Sequence, residues 1–149
     1  MQVQPYLFFD GCCEDALAFY SQALGAQVTT LMRYQDSPEP PPPGDAMDGA
    51  KIMHANLQIG ETQIMASDGQ RPGEGVFKGF SLSLAPASDA EARRLFDALA
   101  DGGQVQMPFG PTFFATAFGM VADRFGVGWM VIVPRQPLPP GQATWDSYY

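Results

Sequence analysis

Residues 112–133 restrict the fold most strongly, because they read as one long β-hairpin. Two runs rich in aromatic and β-branched side chains flank residues 123–126, an Asp-Arg-Phe-Gly sequence with the chemistry of a tight turn. Pro134 ends the second run, because proline has no N–H to donate to a strand ladder. A shorter hairpin with a Gly-Glu turn covers residues 51–68. Two hairpins in one chain indicate a repeated unit.

The segments before the shorter hairpin have the pattern of a strand, a helix and a second strand. Residues 3–9 are a short apolar strand, and apolar side chains at helical spacing follow Gly11. Acidic residues in the first turn suit the positive end of the helix dipole, and Gly25 stands where a C-terminal cap belongs. Residues 27–34 alternate as a strand does. The first half therefore predicts the element order βαβββ.

The second half repeats this order. Residues 76–84 read as a strand, and residues 104–109 as the strand that precedes the long hairpin. Between them, Ser88 and Glu91 have the spacing of a capping box, which predicts the start of a helix. An apolar stripe follows at helical spacing and ends at a Gly-Gly pair.

A constant spacing between matching positions supports duplication. Phe96 follows Phe19 by 77 residues (96 − 19), and Gln104 follows Gln27 by the same 77 (104 − 27). We therefore predict an α+β fold of two tandem βαβββ modules. The predicted boundaries are module one at 1–69, a linker at 69–75, module two at 76–133 and a tail at 134–149.

Two segments lie outside this repeat. Residues 35–50 contain too many prolines for a helix or a central strand, so they predict a polyproline-like loop that serves as a lid, a dimer arm or a spacer. The tail at 134–149 carries Trp and Tyr side chains, which suggests that it docks on another surface, such as a partner subunit.

Charge and composition restrict the partners and the compartment. A net charge of −8 argues against nucleic acid and anionic membranes, since both require basic patches. No run approaches the roughly 20 apolar residues of a membrane span, and the N-terminus lacks the pattern of a signal peptide. Cys12 and Cys13 are adjacent and cannot join distant segments, so we expect a reducing cytoplasm. We expect both to be structural residues at a helix N-terminus, a position that lowers the pKa of a thiol.

The two-module pattern and a set of short segments resemble the vicinal-oxygen-chelate superfamily, which includes glyoxalase I, bleomycin-resistance proteins and extradiol dioxygenases. More narrowly, the chain resembles the PhnB-like branch, once labelled 3-demethylubiquinone methyltransferase-like. The resemblance implies a curled mixed sheet with a ligand in its concave interior, and usually a homodimer. The matching segments are Pro-Tyr-Leu-Phe-Phe at 5–9, Ala-Leu-Ala-Phe-Tyr at 16–20, Leu-Gly at 24–25, His-Ala-Asn at 54–56, Ile-Met-Ala-Ser-Asp at 64–68, Gly-Phe-Ser-Leu at 79–82, Thr-Phe-Phe-Ala at 112–115, Asp-Arg-Phe-Gly at 123–126, and Trp129.

Metal ligands are missing at the positions where the resemblance places them. Metal enzymes of the superfamily carry His, Glu or Gln on the first and last strands of each module, as the preferences of a divalent ion require. This chain has one histidine in all. The matching regions offer Pro5, Met65, Gly79 or Phe80, and Met130, with Gln4 and Gln63 near two of them. We therefore predict neither a metal nor the metal-dependent chemistry. The sequence also lacks a Gly-rich turn between a strand and a helix, the motif that would predict a nucleotide-like cofactor.

Polar side chains on the third strand form the first candidate site. Alternation places His54 and Asn56 on the face away from the helix, with Met65 and Ser67 beside them and Asp68 at the strand end. His54 is the natural general acid–base candidate, and Asp68 or Ser67 is its predicted orienter. The alternative is a half-buried histidine that only shapes the pocket.

The second half contributes a predicted aromatic and polar lining that suits a flat organic ligand. The alternative is that these side chains fill a closed core. Unbroken alternation along the long hairpin would place Phe114, Thr116 and Phe118 on one face. The predicted lining residues are Ser81, Phe114, Thr116, Phe118 and Met130.

Three functional interpretations remain open. The first is binding of a small organic ligand in a metal-free cavity, of the antibiotic-resistance kind, with cationic aromatic compounds favoured by the negative charge. The second is a metal-independent enzyme that uses His54 as general acid or base on a small carbonyl-type substrate. In the third, the cavity is collapsed and the protein acts through its dimer surface.

Overall fold

A computed structural model describes residues 1–39, 48–69, 71 and 73–136. The chain divides into two compact units, residues 1–75 and 76–149, and each is described by itself. Residues 40–47 of the Pro-rich loop and 137–149 of the tail lie outside the described residues, as do the interpretations that rest on them. Neither helix in the described part of the chain is long and apolar enough to cross a membrane.

The first unit is a four-stranded mixed sheet with one α-helix. The strand order is β1-β4-β3-β2, in which β1 runs parallel to β4 and the other neighbours are antiparallel. A short 3-10 turn, Tyr34–Asp36, follows β2. The elements are β1 Tyr6–Phe8, α1 Cys13–Leu24, β2 Gln27–Arg33, β3 Ile52–Ile59 and β4 Thr62–Ser67.

The second unit repeats this topology with the order β5-β8-β7-β6, and β5 again runs parallel to β8. The third element of each unit starts at the predicted spacing of 77 residues (104 − 27). The predicted α+β fold of two βαβββ modules is confirmed. The elements are β5 Leu82–Leu84, α2 Asp89–Ala100, β6 Gln104–Gly110, β7 Ala115–Ala122 and β8 Gly128–Pro134.

The first strand of each unit is shorter than predicted. β5 covers Leu82–Leu84 instead of 76–84, because Gly79 has a φ of +82° and interrupts the extended backbone. β1 covers Tyr6–Phe8 instead of 3–9. Pro5 has no N–H and contributes only its carbonyl, which accepts from Met65 N at 3.0 Å.

Alternation along the first sheet separates a buried face from a partly exposed one. The buried face carries apolar side chains that pack together with α1. The opposite face carries polar, aromatic and Met side chains, and we call it the helix-free face. The helix side holds Leu7, Ala55, Leu57, Ile64 and Ala66, all buried. The helix-free face is defined by Tyr6, Phe8, Met32, His54, Asn56, Met65 and Ser67.

In the second unit, α2 lies directly on β7. A Cβ added at Gly119 would lie 2.6 Å from the Phe96 ring and 3.3 Å from Phe109 Cα, so any larger residue would require the Phe96 ring or the helix that carries it to shift. Asp123 starts the predicted hairpin turn, and its carboxylate accepts from Phe125 N at 2.8 Å and Trp129 Nε1 at 2.8 Å. These hydrogen bonds therefore stabilise the turn of the long hairpin.

Asp68 joins three backbone segments of the first unit. Its Oδ1 accepts from Gly11 N and Cys13 N, both at 2.9 Å, and its Oδ2 accepts from Ile52 N at 2.9 Å. The residue is only 2% exposed. Cys12 occupies the N-cap position of α1 but makes no side-chain cap, so Asp68 does this work from a distant part of the sequence. In α2 the predicted local cap is confirmed, because Ser88 Oγ accepts from Glu91 N at 3.2 Å.

Replacing Asp68 with Asn tests this junction. One oxygen and its charge are lost, and a buried backbone N–H is left without an acceptor. We expect D68N to lower the free energy of unfolding by about 2–4 kcal/mol. Denaturant unfolding followed by circular dichroism measures the change. The control is E61Q in the exposed turn of the first hairpin, with an expected change within about 0.5 kcal/mol. Equal effects of the two variants would contradict the assignment.

Candidate functional site

Strand register brings residues from three strands together on the helix-free face. Met65 pairs with Tyr6 on one side and with Asn56 on the other, which makes a row across β1, β4 and β3. Ser67 pairs with Phe8 in the next row, and Met32 pairs with His54 across β3 and β2. Residues from distant parts of the sequence therefore share one small surface.

A hydrogen-bonded chain runs along this surface through Tyr6, His54 and Asn56. The Tyr6 hydroxyl lies 3.0 Å from His54 Nδ1, and His54 Nε2 lies 2.8 Å from Asn56 Oδ1. An amide oxygen only accepts, so Nε2 carries the hydrogen and donates. In the neutral ring Nδ1 is then the acceptor, and Tyr6 donates to it. One tautomer therefore satisfies every member of the Tyr6–His54–Asn56 chain.

Aromatic and Met side chains flank the Tyr6–His54–Asn56 chain. The Tyr6 and Phe8 rings stack at a centroid distance of 4.6 Å and an interplanar angle of 24°, and the Tyr6 and His54 rings lie 5.5 Å apart. Phe8 is 45% exposed and Met32 is 39% exposed. The face therefore combines exposed apolar side chains with a few hydrogen-bonding groups, a mixture of side chains that ligand sites also have.

The helix-free face carries no formally charged side chain among the residues that define it, although the chain has a net charge of −8. The adjacent row is also neutral, with Gln58 paired to Gln63. A cationic ligand would find no ion-pair partner among these side chains. The negative charge of the whole chain is therefore a poor reason to favour cationic compounds at this face.

The structure brings four of the five predicted residues of the first module to this face. These are His54, Asn56, Met65 and Ser67, of which Ser67 is almost fully buried. Asp68 faces the helix side, and its carboxylate binds backbone N–H groups. The predicted orientation of His54 by Asp68 or Ser67 is wrong, because the contacts of the ring nitrogens are Tyr6 and Asn56.

The predicted residues of the second unit lie on β7 and β8 or directly beside β5 and β7. Met130 pairs with Met120 on β7 and with Ser83 on β5. Phe118 is only 5% exposed, and its ring packs edge-on against Phe114 at 5.1 Å. Ser81 lies just before β5. In this unit the predicted lining is therefore only partly packed, because Phe118 is buried whereas Ser81, Phe114 and Met130 are half-buried.

Thr116 does not share a face with Phe118 as predicted. Its hydroxyl donates to Asp89 Oδ1 at 2.6 Å, at the start of α2, and lies 3.3 Å from Val133 O. The ladder shifts register between Ala115 and Ala117, and such a bulge redirects the residue between them. The prediction assumed unbroken alternation and placed this side chain on the wrong side.

Tyr6 and Phe8 were not among the candidate residues predicted from the sequence, although both belong to the helix-free face. Their alternation within the first strand was a usable signal, since both point to one face while Leu7 points to the other. The contact of Tyr6 with His54 joins residues 48 positions apart and depends on the parallel pairing of β1 with β4.

The side chains on the first and last strands do not fit the divalent metal of the superfamily. On the helix-free face they are phenol, phenyl, thioether and hydroxyl groups, without an imidazole or a carboxylate. At the matching positions of the second unit, Ser83 and Met130 pair with each other. Within the described ranges, no group of three or more His, Cys, Asp or Glu side chains is placed to hold a metal ion.

A small cleft of about 160 Å³ lies at the start of α1. Its two cations already have partners within the unit. Arg33 forms an ion pair with Glu14, and Lys51 Nζ donates to Gly11 O at 2.8 Å. The cleft therefore reads as a structural junction.

Both thiols have a raised pKa, contrary to the expectation for a helix N-terminus. For Cys13 the main cause is burial, followed by the carboxylate of Asp68. Burial also raises the pKa of Cys12, and the charges of Asp10 and Asp68 add to it. Burial, with the nearby carboxylates adding to it, therefore outweighs the lowering of the thiol pKa values that a helix N-terminus would cause.

Comparisons with known proteins agree with this fold. A family model described as 3-demethylubiquinone-9 3-methyltransferase matches residues 1–132. Protein YjdN of Escherichia coli (strain K12) is 39% identical over 145 residues, which covers 92% of this chain and 99% of YjdN. The crystal structure of protein PA1353 from Pseudomonas aeruginosa has a TM-score of 0.79 and 49% identity, over 90% of this chain and 98% of that chain.

A more distant structure shows the fold alone. A glyoxylase/bleomycin resistance protein/dioxygenase domain from Frankia sp. EAN1pec has a TM-score of 0.62 at 16% identity, over 91% of this chain and 93% of that domain. The resemblance inferred from the sequence is confirmed.

The raised thiol pKa values predict low reactivity in the folded protein. A raised pKa leaves less thiolate at a given pH, and the thiolate is the reactive form. At about pH 8 we expect Cys12 to react with iodoacetamide more slowly than N-acetylcysteine, and buried Cys13 not to react. The rate for Cys12 should keep rising with pH beyond that point. Peptide mass spectrometry measures both sites, with the urea-unfolded chain as control. A Cys12 rate equal to that of N-acetylcysteine would contradict the assigned shift.

Proposed function

Because this chain belongs to the 3-demethylubiquinone-9 3-methyltransferase family, the PhnB-like branch of the vicinal-oxygen-chelate superfamily, we propose that it binds a small organic molecule on the helix-free face of its first sheet. The observation that carries this proposal is the Tyr6–His54–Asn56 chain beside the Tyr6–Phe8 stack, in which Phe8 is exposed. The family description names methyl transfer. The side chains of this face support binding of a ligand, so methyl transfer is not part of the proposal.

The face has the two properties that a ligand site needs. Phe8 and Met32 leave apolar surface exposed, and covering it would contribute roughly 25 cal/mol per Å² of area removed from water. The hydrogen-bonding groups of Tyr6, His54 and Asn56 are held in one arrangement, so they can orient a ligand at little cost in conformational entropy. Met32 and Met65 are flexible and adjust to the shape of a ligand. No metal ligand takes part in this proposal.

The resemblance also supports a homodimer, and the adjacent free thiols support a reducing cytoplasm. Light scattering tests the first of these: the proposal requires the mass of two chains, and the mass of one chain would refute it.

A fluorescent ketone tests the binding proposal. The probe is 6-propionyl-2-(dimethylamino)naphthalene, which is planar, uncharged and brighter in apolar surroundings. We expect saturable binding to the wild-type protein. Replacing Phe8 with Ser removes the exposed ring of the stack and should weaken binding about three- to tenfold.

The matched control for this test is F113S, which removes a ring that is 74% exposed in the second unit. It should bind the probe as the wild-type protein does. Absence of saturable binding, or equal losses in F8S and F113S, would refute the proposal.

A second candidate function follows from the same hydrogen bonds. The Tyr6 hydroxyl donates to His54 Nδ1, so the pair is arranged for proton transfer. A proton on the carbon beside a substrate carbonyl would move to the Tyr6 oxygen as the phenolic proton moves to Nδ1. The products are an enolate and an imidazolium, whose Nε2–H still donates to Asn56. The reverse transfer restores the carbonyl.

Exchange in heavy water tests this second candidate. With dihydroxyacetone as substrate, we expect the wild-type protein to replace carbon-bound hydrogen with deuterium faster than buffer does. H54Q and Y6F should both reduce exchange to the buffer rate, and F113S should retain it. Proton NMR follows the loss of signal. Equal exchange by wild-type protein and H54Q would rule out this function.

A further inference from the structure

We propose that Asn56 selects the class of ligand, because its amide N–H2 donates to a carbonyl-type acceptor on an uncharged, planar molecule of about two fused rings. This inference rests on the proposed binding function and deepens it. Three observations carry it: the direction of the Asn56 amide, the neutrality of the face and the distance across the row of Tyr6, Met65 and Asn56.

The amide direction comes from His54. Asn56 Oδ1 accepts from Nε2 at 2.8 Å, which turns the amide nitrogen away from the ring. The amide nitrogen has no partner among the described residues, and Asn56 is only half-buried. Two N–H donors therefore face a ligand or water. A ligand that supplies an acceptor replaces that water, while a ligand that supplies only donors leaves the amide without a partner.

The neutrality of the face excludes charged ligands of the same shape. A carboxylate or ammonium group laid against these side chains would lose part of its hydration. No Lys, Arg, Asp or Glu belongs to the defined face to compensate for that loss. An uncharged molecule does not have this cost.

The distance across the row of Tyr6, Met65 and Asn56 sets the expected size of the ligand. Tyr6 lies on β1 and Asn56 on β3, with Met65 on β4 between them. Two strand spacings amount to roughly 10 Å, which is about the length of a two-ring aromatic with one substituent. Such a molecule covers Met65, contacts the Tyr6–Phe8 stack at one end and reaches the Asn56 amide at the other.

The second unit does not repeat this arrangement. Its matching row across β5, β8 and β7 is Ser83, Met130 and Met120. The middle Met is common to both rows, but a hydroxyl and a thioether replace the phenol and the amide. The selective donor therefore belongs to the first unit.

Four naphthalene probes of similar size test the inference by calorimetric titration. They are 2-acetylnaphthalene, which carries an uncharged acceptor; 2-isopropylnaphthalene, which has none; 2-naphthoate, an anion; and 2-naphthylmethylammonium, a cation. We expect the wild-type protein to bind the acetyl compound about five- to tenfold more tightly than the isopropyl compound. Both charged probes should bind more weakly than the acetyl compound.

Variants at position 56 then locate the preference. N56L keeps the approximate volume and removes the donor, so it should bind the acetyl and isopropyl compounds equally. N56D replaces the donor with a negative charge and should favour the ammonium probe. The matched control is Q58L, two residues further along β3, where Gln58 Nε2 donates to Gly60 O at 3.0 Å. Q58L should keep the wild-type order, and circular dichroism confirms that each variant is folded.

The outcomes separate this inference from the proposed function. If the wild-type protein binds the acetyl and isopropyl compounds equally, the role of Asn56 is wrong while binding on the face stands. If N56L and N56D both keep the wild-type order, the preference arises elsewhere and the inference is overturned. If none of the four probes binds, the proposed function itself fails.

Discussion

The carboxylate of Asp68 determines which face of the first sheet is available. It ties the start of α1 to the start of β3 through three backbone hydrogen bonds, so the helix covers one side of the sheet. Strict alternation along β3 and β4 then places His54 and Met65 on the other side. Asp68, which the sequence suggested as a ligand-binding residue, therefore joins the helix to the face opposite the proposed site.

The two modules show what duplication conserves and what it leaves free. The strand order and the position of the helix in the sequence are the same in both, because both follow from burying one face of a mixed sheet. The local solutions differ. One helix is capped by a distant carboxylate and the other by Ser88 beside it. In the matching row of the second module, Ser83 stands in place of Tyr6 and Met120 in place of Asn56.

Much of this structure is predictable from local sequence patterns, and the rest depends on register. The turn residues predicted both hairpins, and alternation predicted that His54 and Asn56 share a face, because each of these signals acts within a few residues. The Tyr6 contact was not predictable in this way, since it depends on which residue of β4 lies beside β1. The predicted face of the Thr116 side chain was wrong for the same reason, because a bulge breaks the alternation that the prediction assumed. The long-range cap by Asp68 has no local signature.

The most direct test of a ligand site on the helix-free face is an amide proton–nitrogen NMR titration with 2-acetylnaphthalene. We expect the Asn56 side-chain amide and the backbone amides of β1, β3 and β4 to shift together and to saturate at one common dissociation constant. Signals of the second unit should change little. Saturable shifts confined to the second unit, or no saturable shift at all, would contradict a ligand site on the first sheet.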